Sequence, residues 1–146
     1  MAEKISEIKV SELVRPARTI GKDTVVSEAL KMIGKECSDM LSVVDEDGKL
    51  IGAVSEANFM KLAKHEPSSL IGDPIWFDSV SPDAGKQLIG SIMTANVTTI
   101  SPDESIDTAL KVMNANNYRL LHVVGQDGKL LGTVRIKDMF GRLLEG

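Results

Sequence analysis

Polar side chains follow an apolar stretch in the segment Gly52-Ala53-Val54-Ser55-Glu56-Ala57-Asn58. The apolar residues predict a strand and the following residues a helix, so Ser55 and Asn58 share one face of its first turn. Free N–H groups at a helix N-terminus attract hydroxyl or phosphate oxygens, and the Asn58 carboxamide can both donate and accept hydrogen bonds. Gly52 permits a close approach to the backbone. The segment therefore predicts a site for a small polar ligand.

The same residues also have a purely structural interpretation. A serine followed three residues later by a polar residue is a common way to cap the start of a helix. Spacing alone favours the cap, and the two roles are compatible, so both remain open for Ser55 and Asn58.

A related segment, Gly132-Thr133-Val134-Arg135-Ile136-Lys137-Asp138, differs at one important position. Arg135 stands where the first segment has serine, while Asp138 can still accept hydrogen bonds from two hydroxyls. Arg135 could reach a phosphate as a forked donor, or it could pair with Asp138 at helical spacing and fill the site itself. We expect two unequal sites, with the first segment the better one.

The two segments belong to an internal duplication. Residues from Ser11 onward match residues from Ser91 onward at a spacing of 80 without a gap. The matches include Thr19-Ile20 with Thr99-Ile100, Ala29-Leu30-Lys31 with Ala109-Leu110-Lys111, and Asp47-Gly48-Lys49-Leu50 with Asp127-Gly128-Lys129-Leu130. So many matches in one register indicate a duplicated unit, and two copies favour a pair that packs face to face.

Each copy shows the same order of apolar periodicities, which predicts strand, helix, strand, turn, strand and helix. In the first copy we expect strands at 18–20, 40–44 and 50–54, and a final amphipathic helix from Ser55 to Ala63. In the second copy we expect strands at 97–100, 120–124 and 130–134, and a final helix from Arg135 to Leu144. The glycines of the two turns can adopt positive φ.

Composition excludes several classes of protein. Apolar residues make up 42% and charged residues 26% of the 146 residues, as in a folded globular protein. The net charge of -4 and the 3% of aromatic residues argue against nucleic acid as a partner. The N-terminus is polar and no apolar run is long enough to span a membrane, so we expect a cytoplasmic protein.

Catalysis and metal binding are not expected. His65 and His122 are the only histidines and Cys37 the only cysteine, which is too few for a histidine or thiolate metal site. His122 lies in an apolar strand, where we expect a buried imidazole with its hydrogen bonds satisfied. Cys37 follows a helix rather than starting one, so we expect an inert thiol. No phosphate-binding loop or nucleophile motif is present.

The ordered set of residues, seen twice, resembles the cystathionine β-synthase (CBS) domain, and the tandem resembles a CBS pair or Bateman module. In the second copy the resemblance lies in Ser91-Ile92-Met93-Thr94, Thr99-Ile100-Ser101-Pro102-Asp103, Ala109-Leu110, Val123-Val124 and Asp127 to Gly132. The resemblance implies an α/β (α+β) fold of two β-α-β-β-α repeats packed with pseudo-twofold symmetry. It divides the chain into a first repeat with the N-terminal segment (1–66), a linker (67–84) and a second repeat (85–146).

The resemblance also implies a regulatory module that stands alone, without an attached enzyme. Its ligands would be adenosine-containing molecules, namely AMP, ADP, ATP or S-adenosylmethionine, bound in a cleft between the repeats with no required cofactor. Other implied partners are a second copy of the chain in a homodimer and a regulated protein that the sequence does not identify. The alternative is a ligand-free dimerisation or interaction module, with Trp76, Phe77 and Phe140 on its contact surface.

In the CBS family the ligand motif is a glycine, two apolar residues, Ser or Thr, two variable residues, and Asp or Asn. The segment Gly52 to Asn58 matches every defined position, with Ala53 and Val54 placed to flank an adenine ring. The resemblance also implies adenine contacts from the backbone of Thr19 and Ile20. Candidate phosphate-binding cations are Arg18, Lys22 and Arg119, although for each of them alone the sequence favours an ordinary solvated charge. Asp39, at the position of Arg119 in the first copy, would repel a phosphate.

Overall fold

The computed structural model describes residues 4–36, 40–66, 76–80 and 82–145. The helices there are α1 (Val26–Glu36), α2 (Ile106–Asn116) and α3 (Ile136–Glu145). The strands are β1 (Thr19–Ile20), β2 (Leu41–Val44), β3 (Leu50–Val54), β4 (Ala63–Glu66), β5 (Trp76–Val80), β6 (Thr99–Ile100), β7 (Leu120–Val124) and β8 (Leu130–Arg135). Short 3-10 turns occur at Ile5–Glu7, Val10–Glu12, Ala84–Lys86 and Ile89–Ser91, and a longer 3-10 helix at Glu56–Leu62.

Two three-stranded sheets repeat the same architecture. Their strand orders are β1-β2-β3 and β6-β7-β8, and β4 pairs with β5 in a separate two-stranded ribbon. The first two strands of each sheet are parallel, with Thr19 opposite Ser42 and Thr99 opposite His122. The predicted order of strand, helix, strand and strand is confirmed in both copies, as is a mixed α/β fold.

A glycine turn joins the last two strands of each sheet, as predicted. Gly48 and Gly128 both have a φ of 83°, a conformation that side chains disfavour. The Asp45 carboxylate accepts hydrogen bonds from the N–H groups of Asp47 and Lys49, both at 2.9 Å. These side-chain bonds add to the backbone bonds of the turn, which join the Asp45 N–H to the Lys49 carbonyl at 2.9 Å and the Gly48 N–H to the Asp45 carbonyl at 3.0 Å.

Two compact units divide the chain, and each combines segments from both copies. Unit 1 comprises residues 1–17, 44–51 and 96–146, and unit 2 comprises residues 18–43 and 52–95. Residues 1–17, which precede the first strand of the first copy, therefore belong to unit 1 together with α2 and α3 of the second copy. Likewise, the residues up to 95, which precede the first strand of the second copy, belong to unit 2 together with α1 of the first copy. Packing of one repeat against the other stays a prediction.

Unit 1 is built around a continuous apolar core. Alternate residues of β7, Leu121 and Val123, point into this core with Ile106, Ala109 and Met113 of α2. The helical residues are spaced by three and four, so they form one face of α2. Ile8, Val10, Ile100, Val134 and Met139 complete the core.

One expectation for the end of the first copy is wrong. The predicted amphipathic helix from Ser55 to Ala63 is a 3-10 helix over Glu56–Leu62, after which the chain is extended as β4. β5 lies inside the segment predicted to be a linker, and its pairing with β4 satisfies the backbone groups that a longer helix would have used. The side chains of Trp76 and Phe77, the residue Cys37 and the residue Asp39 lie outside what the structure describes.

No helix in the described ranges is long and apolar enough to cross a bilayer.

Candidate functional site

In unit 2, the junction between β3 and the following 3-10 helix forms a capping box. The Asn58 carboxamide oxygen accepts hydrogen bonds from the Ser55 backbone N–H at 2.9 Å and from the Ser55 hydroxyl at 3.2 Å. The capping interpretation of Ser55 and Asn58 is thus confirmed. It does not by itself decide whether the two residues also contact a ligand.

The amide end of the Asn58 side chain is also occupied. Its Nδ2 donates to the Ile92 carbonyl at 2.7 Å and to the Thr94 hydroxyl at 3.0 Å. A carboxamide has two N–H donors and one oxygen acceptor, so hydrogen bonds within unit 2 use all of them. Asn58 is only 7% exposed, and a ribose could reach it only by displacing one of these contacts.

The partners of Asn58 belong to a chain segment, residues 89–94, that we call the first strap. Its backbone pairs with Ala53 through Thr94, by two hydrogen bonds of 3.0 and 2.9 Å. A Cβ added at Gly52 would lie 2.7 Å from the Met93 sulfur and 2.9 Å from the Thr94 carbonyl oxygen. The close approach that Gly52 permits is therefore made by Met93 and Thr94 of the first strap.

Residues 10–15 form the equivalent second strap in unit 1. Arg15 pairs with Thr133 through two backbone hydrogen bonds of 2.9 Å each. A Cβ added at Gly132 would meet the Arg15 carbonyl oxygen and lie 2.6 Å from Cγ1 of Val14. Both motif glycines thus accommodate a strap.

The side-chain contact of the second strap is ionic. Nε of Arg15 lies 2.8 Å from Oδ2 of Asp138, whose side chain is 16% exposed, whereas that of Arg15 is 67% exposed. This Asp138 oxygen is buried yet accepts no hydrogen bond from the described part of the chain, because the Nε–H is not aligned with it. Arg15 is the ion-pair partner of Asp138 in unit 1, in the position for which the sequence suggested Arg135.

The other candidates of the second copy lie together at one edge of the β6-β7-β8 sheet. Arg135 pairs with Leu120 across β7 and β8, and the Ile136 N–H donates to the Arg119 carbonyl at 3.1 Å. The side chains of Arg119 and Arg135 are both exposed. Two arginines are therefore brought next to the start of α3, whose positive dipole end attracts anions.

The remaining candidates of the first copy flank β1. The half-buried Arg18 precedes this strand and accepts a hydrogen bond from the Ser42 N–H at 2.8 Å through its carbonyl. Thr19 is exposed and Ile20 is buried. The Lys22 side chain is exposed, and its carbonyl accepts a hydrogen bond from the Gly90 N–H of the first strap at 2.9 Å.

A cavity of about 420 Å³ lies in unit 1 between the second strap and α3. Its charged lining residues are Glu12, Arg15, Lys137, Asp138, Arg142 and Glu145. Arg142 donates to Glu12 at 3.1 Å, and Arg15 is paired with Asp138. The volume lies in the range of small-molecule sites.

His122 differs from its sequence-based expectation. The imidazole is 2% exposed, and Nε2 has no hydrogen-bond partner in the described ranges, so the expectation that its hydrogen bonds are satisfied is wrong. In the sheet it lies opposite Thr99 and Thr133. Burial lowers the pKa of His122 below its ordinary value, since the charged form loses its hydration.

The last strand of each three-stranded sheet carries the glycine of a ligand motif, and the last residue of that motif contacts a strap. This repeated arrangement agrees with the comparison with known proteins. The CBS domain family matches residues 6–65 and 89–145. The chain belongs to the CBS domain family. The CBS domain-containing protein CBSX1 of Arabidopsis thaliana is 30% identical over 123 residues, which are 76% of this chain and 52% of CBSX1.

Solved CBS domain proteins have the same fold. The CBS domain pair of protein MJ0100, in complex with 5'-methylthioadenosine and S-adenosyl-L-methionine, is 27% identical with a TM-score of 0.68. The match covers 94% of this chain and 96% of that one. A CBS domain-containing protein from Bacillus anthracis is 15% identical with a TM-score of 0.79, covering 97% of this chain and 96% of that one. The latter shows the fold alone.

Sequence reasoning missed the strap residues of this CBS pair. The turns at Val10–Glu12 and Ile89–Ser91 occupy equivalent positions in the two straps. They are 79 residues apart, whereas the strands of the two copies are 80 residues apart. At this shorter spacing Arg15 and Thr94 correspond, and each contacts the last residue of a ligand motif. The apolar pattern contained this signal, because it pairs Val10 with Ile89 and Leu13 with Ile92.

Proposed function

We propose that this CBS pair is a regulatory module that binds an adenosine-containing ligand. The observation that carries the proposal is the placement of Asp138 in the wall of a 420 Å³ cavity, where its largely buried carboxylate faces the exposed Arg15. A carboxylate can accept hydrogen bonds from both hydroxyls of a ribose. The binding of methylthioadenosine and S-adenosylmethionine to a CBS pair that is 27% identical supports this ligand class.

We place the tighter site at the second copy, although the sequence motif favours the first. Asp138 has acceptor capacity to spare, whereas Asn58 has none while the first strap is bound. A ligand at Asn58 must exchange one protein hydrogen bond for another, which leaves little net gain. The candidate cations for a phosphate there are Arg119 and Arg135, which lie next to the start of α3.

The first copy is proposed as a second, weaker position of the same kind. Ala53 and Val54 would flank the adenine, and the backbone of Thr19 and Ile20 would bind its edge. Ser55 and Asn58 would bind the ribose, at the cost of Asn58 contacts to the first strap. The cations there would be Arg18 and Lys22.

Ligand-induced stabilisation tests the proposal directly. Thermal unfolding is measured with AMP, ADP, ATP, S-adenosylmethionine and methylthioadenosine, with GTP as the control for the base. A ligand at 100 times its Kd raises the free energy of unfolding by about 2.7 kcal/mol. Asp138→Asn keeps the size of the side chain but removes its charge, and we expect it to reduce the shift to that of the weaker site in the first copy. No shift with any adenosine compound at millimolar concentration would refute the proposal.

A second candidate function, protein association, rests on exposed apolar side chains of α3. Phe140 is 46% exposed and Leu144 83% exposed, one helical turn apart on the same face. Such a pair is typical of a contact surface, and a homodimer or a regulated protein would cover it. Sedimentation of the wild type and of the Phe140→Ser, Leu144→Ser variant distinguishes the two, because a surface that mediates self-association gives a dimer only in the wild type. A wild type that is monomeric at high concentration contradicts the homodimer.

A further inference from the structure

We infer that Arg15 is the residue by which the second copy prefers adenosine ligands that carry a 5'-phosphate over those that do not. The inference rests on the proposed function and assigns a role to a residue outside the ligand motif. Arg15 belongs to the second strap, 123 residues before Asp138, so no local pattern connects the two.

The geometry places one guanidinium between the carboxylate and open space. Nε of Arg15 contacts Asp138, while 67% of the side chain is exposed and lines the cavity. The guanidinium has five N–H donors in a planar fork, so the terminal nitrogens stay available when Nε faces a carboxylate. A phosphate bound in the cavity can therefore contact the same side chain that faces Asp138.

The ion pair is weak enough to rearrange. The Arg15 side chain is 67% exposed, so water competes for its guanidinium and weakens the pair. When ribose hydroxyls bind Asp138, they compete with Arg15 for the carboxylate oxygens. A phosphate on the same ligand gives Arg15 a new partner, whereas adenosine offers none.

Two other cations, Arg142 and Lys137, line the cavity and add positive charge that favours a ligand with a phosphate. Arg142 is held by Glu12 at 3.1 Å, which leaves Lys137, in the first turn of α3, as the nearest additional positive charge in the lining. In the first copy, the strap residue equivalent to Arg15 is the uncharged Thr94, so that copy has no corresponding means of selection. The two copies should thus differ in the ligands they prefer.

Calorimetric titration of the full chain with adenosine and with AMP tests the inference, because these ligands differ only in the phosphate. We expect the wild type to bind AMP about tenfold more tightly, as for one charge-assisted contact. Arg15→Gln should remove most of that preference and leave the Kd for adenosine within about twofold, or lower, since Asp138 loses a competitor. Arg15→Lys, which keeps the charge but loses the fork, should fall between the two.

Lys111→Gln is the matched control. Lys111 pairs with Asp107 on α2 at 3.4 Å, outside the cavity, so this variant changes net charge equally and should bind both ligands as the wild type does. The Arg15 backbone pairs with Thr133 whatever its side chain, so we expect Arg15→Gln to fold, and circular dichroism verifies it. If Arg15→Gln does not fold, the same titrations are made with Arg15→Lys. An unchanged preference of Arg15→Lys for AMP over adenosine then overturns the inference.

The outcomes separate the inference from the proposed function. A wild type that binds neither adenosine nor AMP overturns the inference, and it refutes the proposed function as well when the other adenosine compounds give no thermal shift. A wild type that binds both ligands equally, or an Arg15→Gln variant that loses affinity for both by the same factor, overturns the role of Arg15 and leaves the proposed function standing. Loss of the AMP preference in Arg119→Gln but not in Arg15→Gln would instead place the phosphate at the sheet edge.

Discussion

A hydrogen bond of 3.0 Å joins the Asn58 carboxamide to the Thr94 hydroxyl, 36 residues further along the chain. The corresponding contact in unit 1 is the ion pair of Asp138 with Arg15. The last residue of each ligand motif therefore holds a strap, and the sequence difference between Asn58 and Asp138 is matched by the difference between Thr94 and Arg15. The proposed ligand contacts and the attachment of the straps therefore involve the same two side chains.

Asn58→Ala should destabilise the chain by about 2 kcal/mol, because the Ile92 carbonyl and the Ser55 N–H lose a partner. Urea unfolding followed by circular dichroism measures the loss. Asn116→Ala is the control, since that exposed side chain donates only to the Val112 carbonyl on the surface of α2, and its effect should stay within about 0.5 kcal/mol. Equal losses in the two variants would contradict the attachment of the first strap by Asn58.

Gly52→Ala should cost about 1–3 kcal/mol, because the new methyl group would press against Met93 and the Thr94 carbonyl. The strap would have to move away from Ala53, which should speed amide exchange at Thr94. Gly21→Ala is the matched control, since nothing lies within 4 Å of an added Cβ there. Unchanged exchange at Thr94 in Gly52→Ala would show that the glycine is not needed for this contact.

Stability should fall below about pH 6.5 because of His122, whose folded-state pKa is lowered by burial. The unfolded chain then binds a proton that the folded chain does not, so stability is complete above the ordinary pKa and is lost as pH falls toward the folded-state value. The slope approaches about 1.4 kcal/mol per pH unit. Urea midpoints between pH 8 and pH 5 measure it.

His122→Leu should flatten this part of the pH profile, and it also removes the buried Nε2 that lacks a partner. The other histidine provides the control, and His65→Gln should leave the profile as in the wild type. A His122→Leu profile as steep as that of the wild type would assign the dependence to other groups.

Calorimetry should find two classes of adenosine-ligand site per chain, with the tighter one at Asp138. Asp138→Asn should remove the tight class, because a carboxamide accepts less strongly than a carboxylate and its N–H groups would face Arg15. The Ser55→Ala, Asn58→Ala double variant should leave the tight class intact. The reverse pattern would return the main site to the first copy, as the motif alone suggests.

Local sequence patterns were sufficient for most of the secondary structure. The apolar run before Asp45 and the Asp-Gly turn after it predicted β2, its turn and β3, since alternation and glycine act over a few residues. α1 and α2 followed from apolar residues three and four apart. The helix expected after Ser55 failed because its amphipathic pattern competes with β4, whose pairing partner β5 lies in a segment that has no apolar periodicity.

The duplication, the order of elements, the capping box of Ser55 with Asn58 and membership of the CBS family were all determined by the sequence. Only the tertiary structure decided what Gly52, Asn58 and Asp138 contact, because their partners are strap residues brought to them by folding. Hydrogen bonds from Asn58 to Ile92 and Thr94, and the ion pair of Asp138 with Arg15, give partners to polar groups that would otherwise be buried at a cost. Residue types specify that such partners must exist, and the path of the chain determines which ones they are.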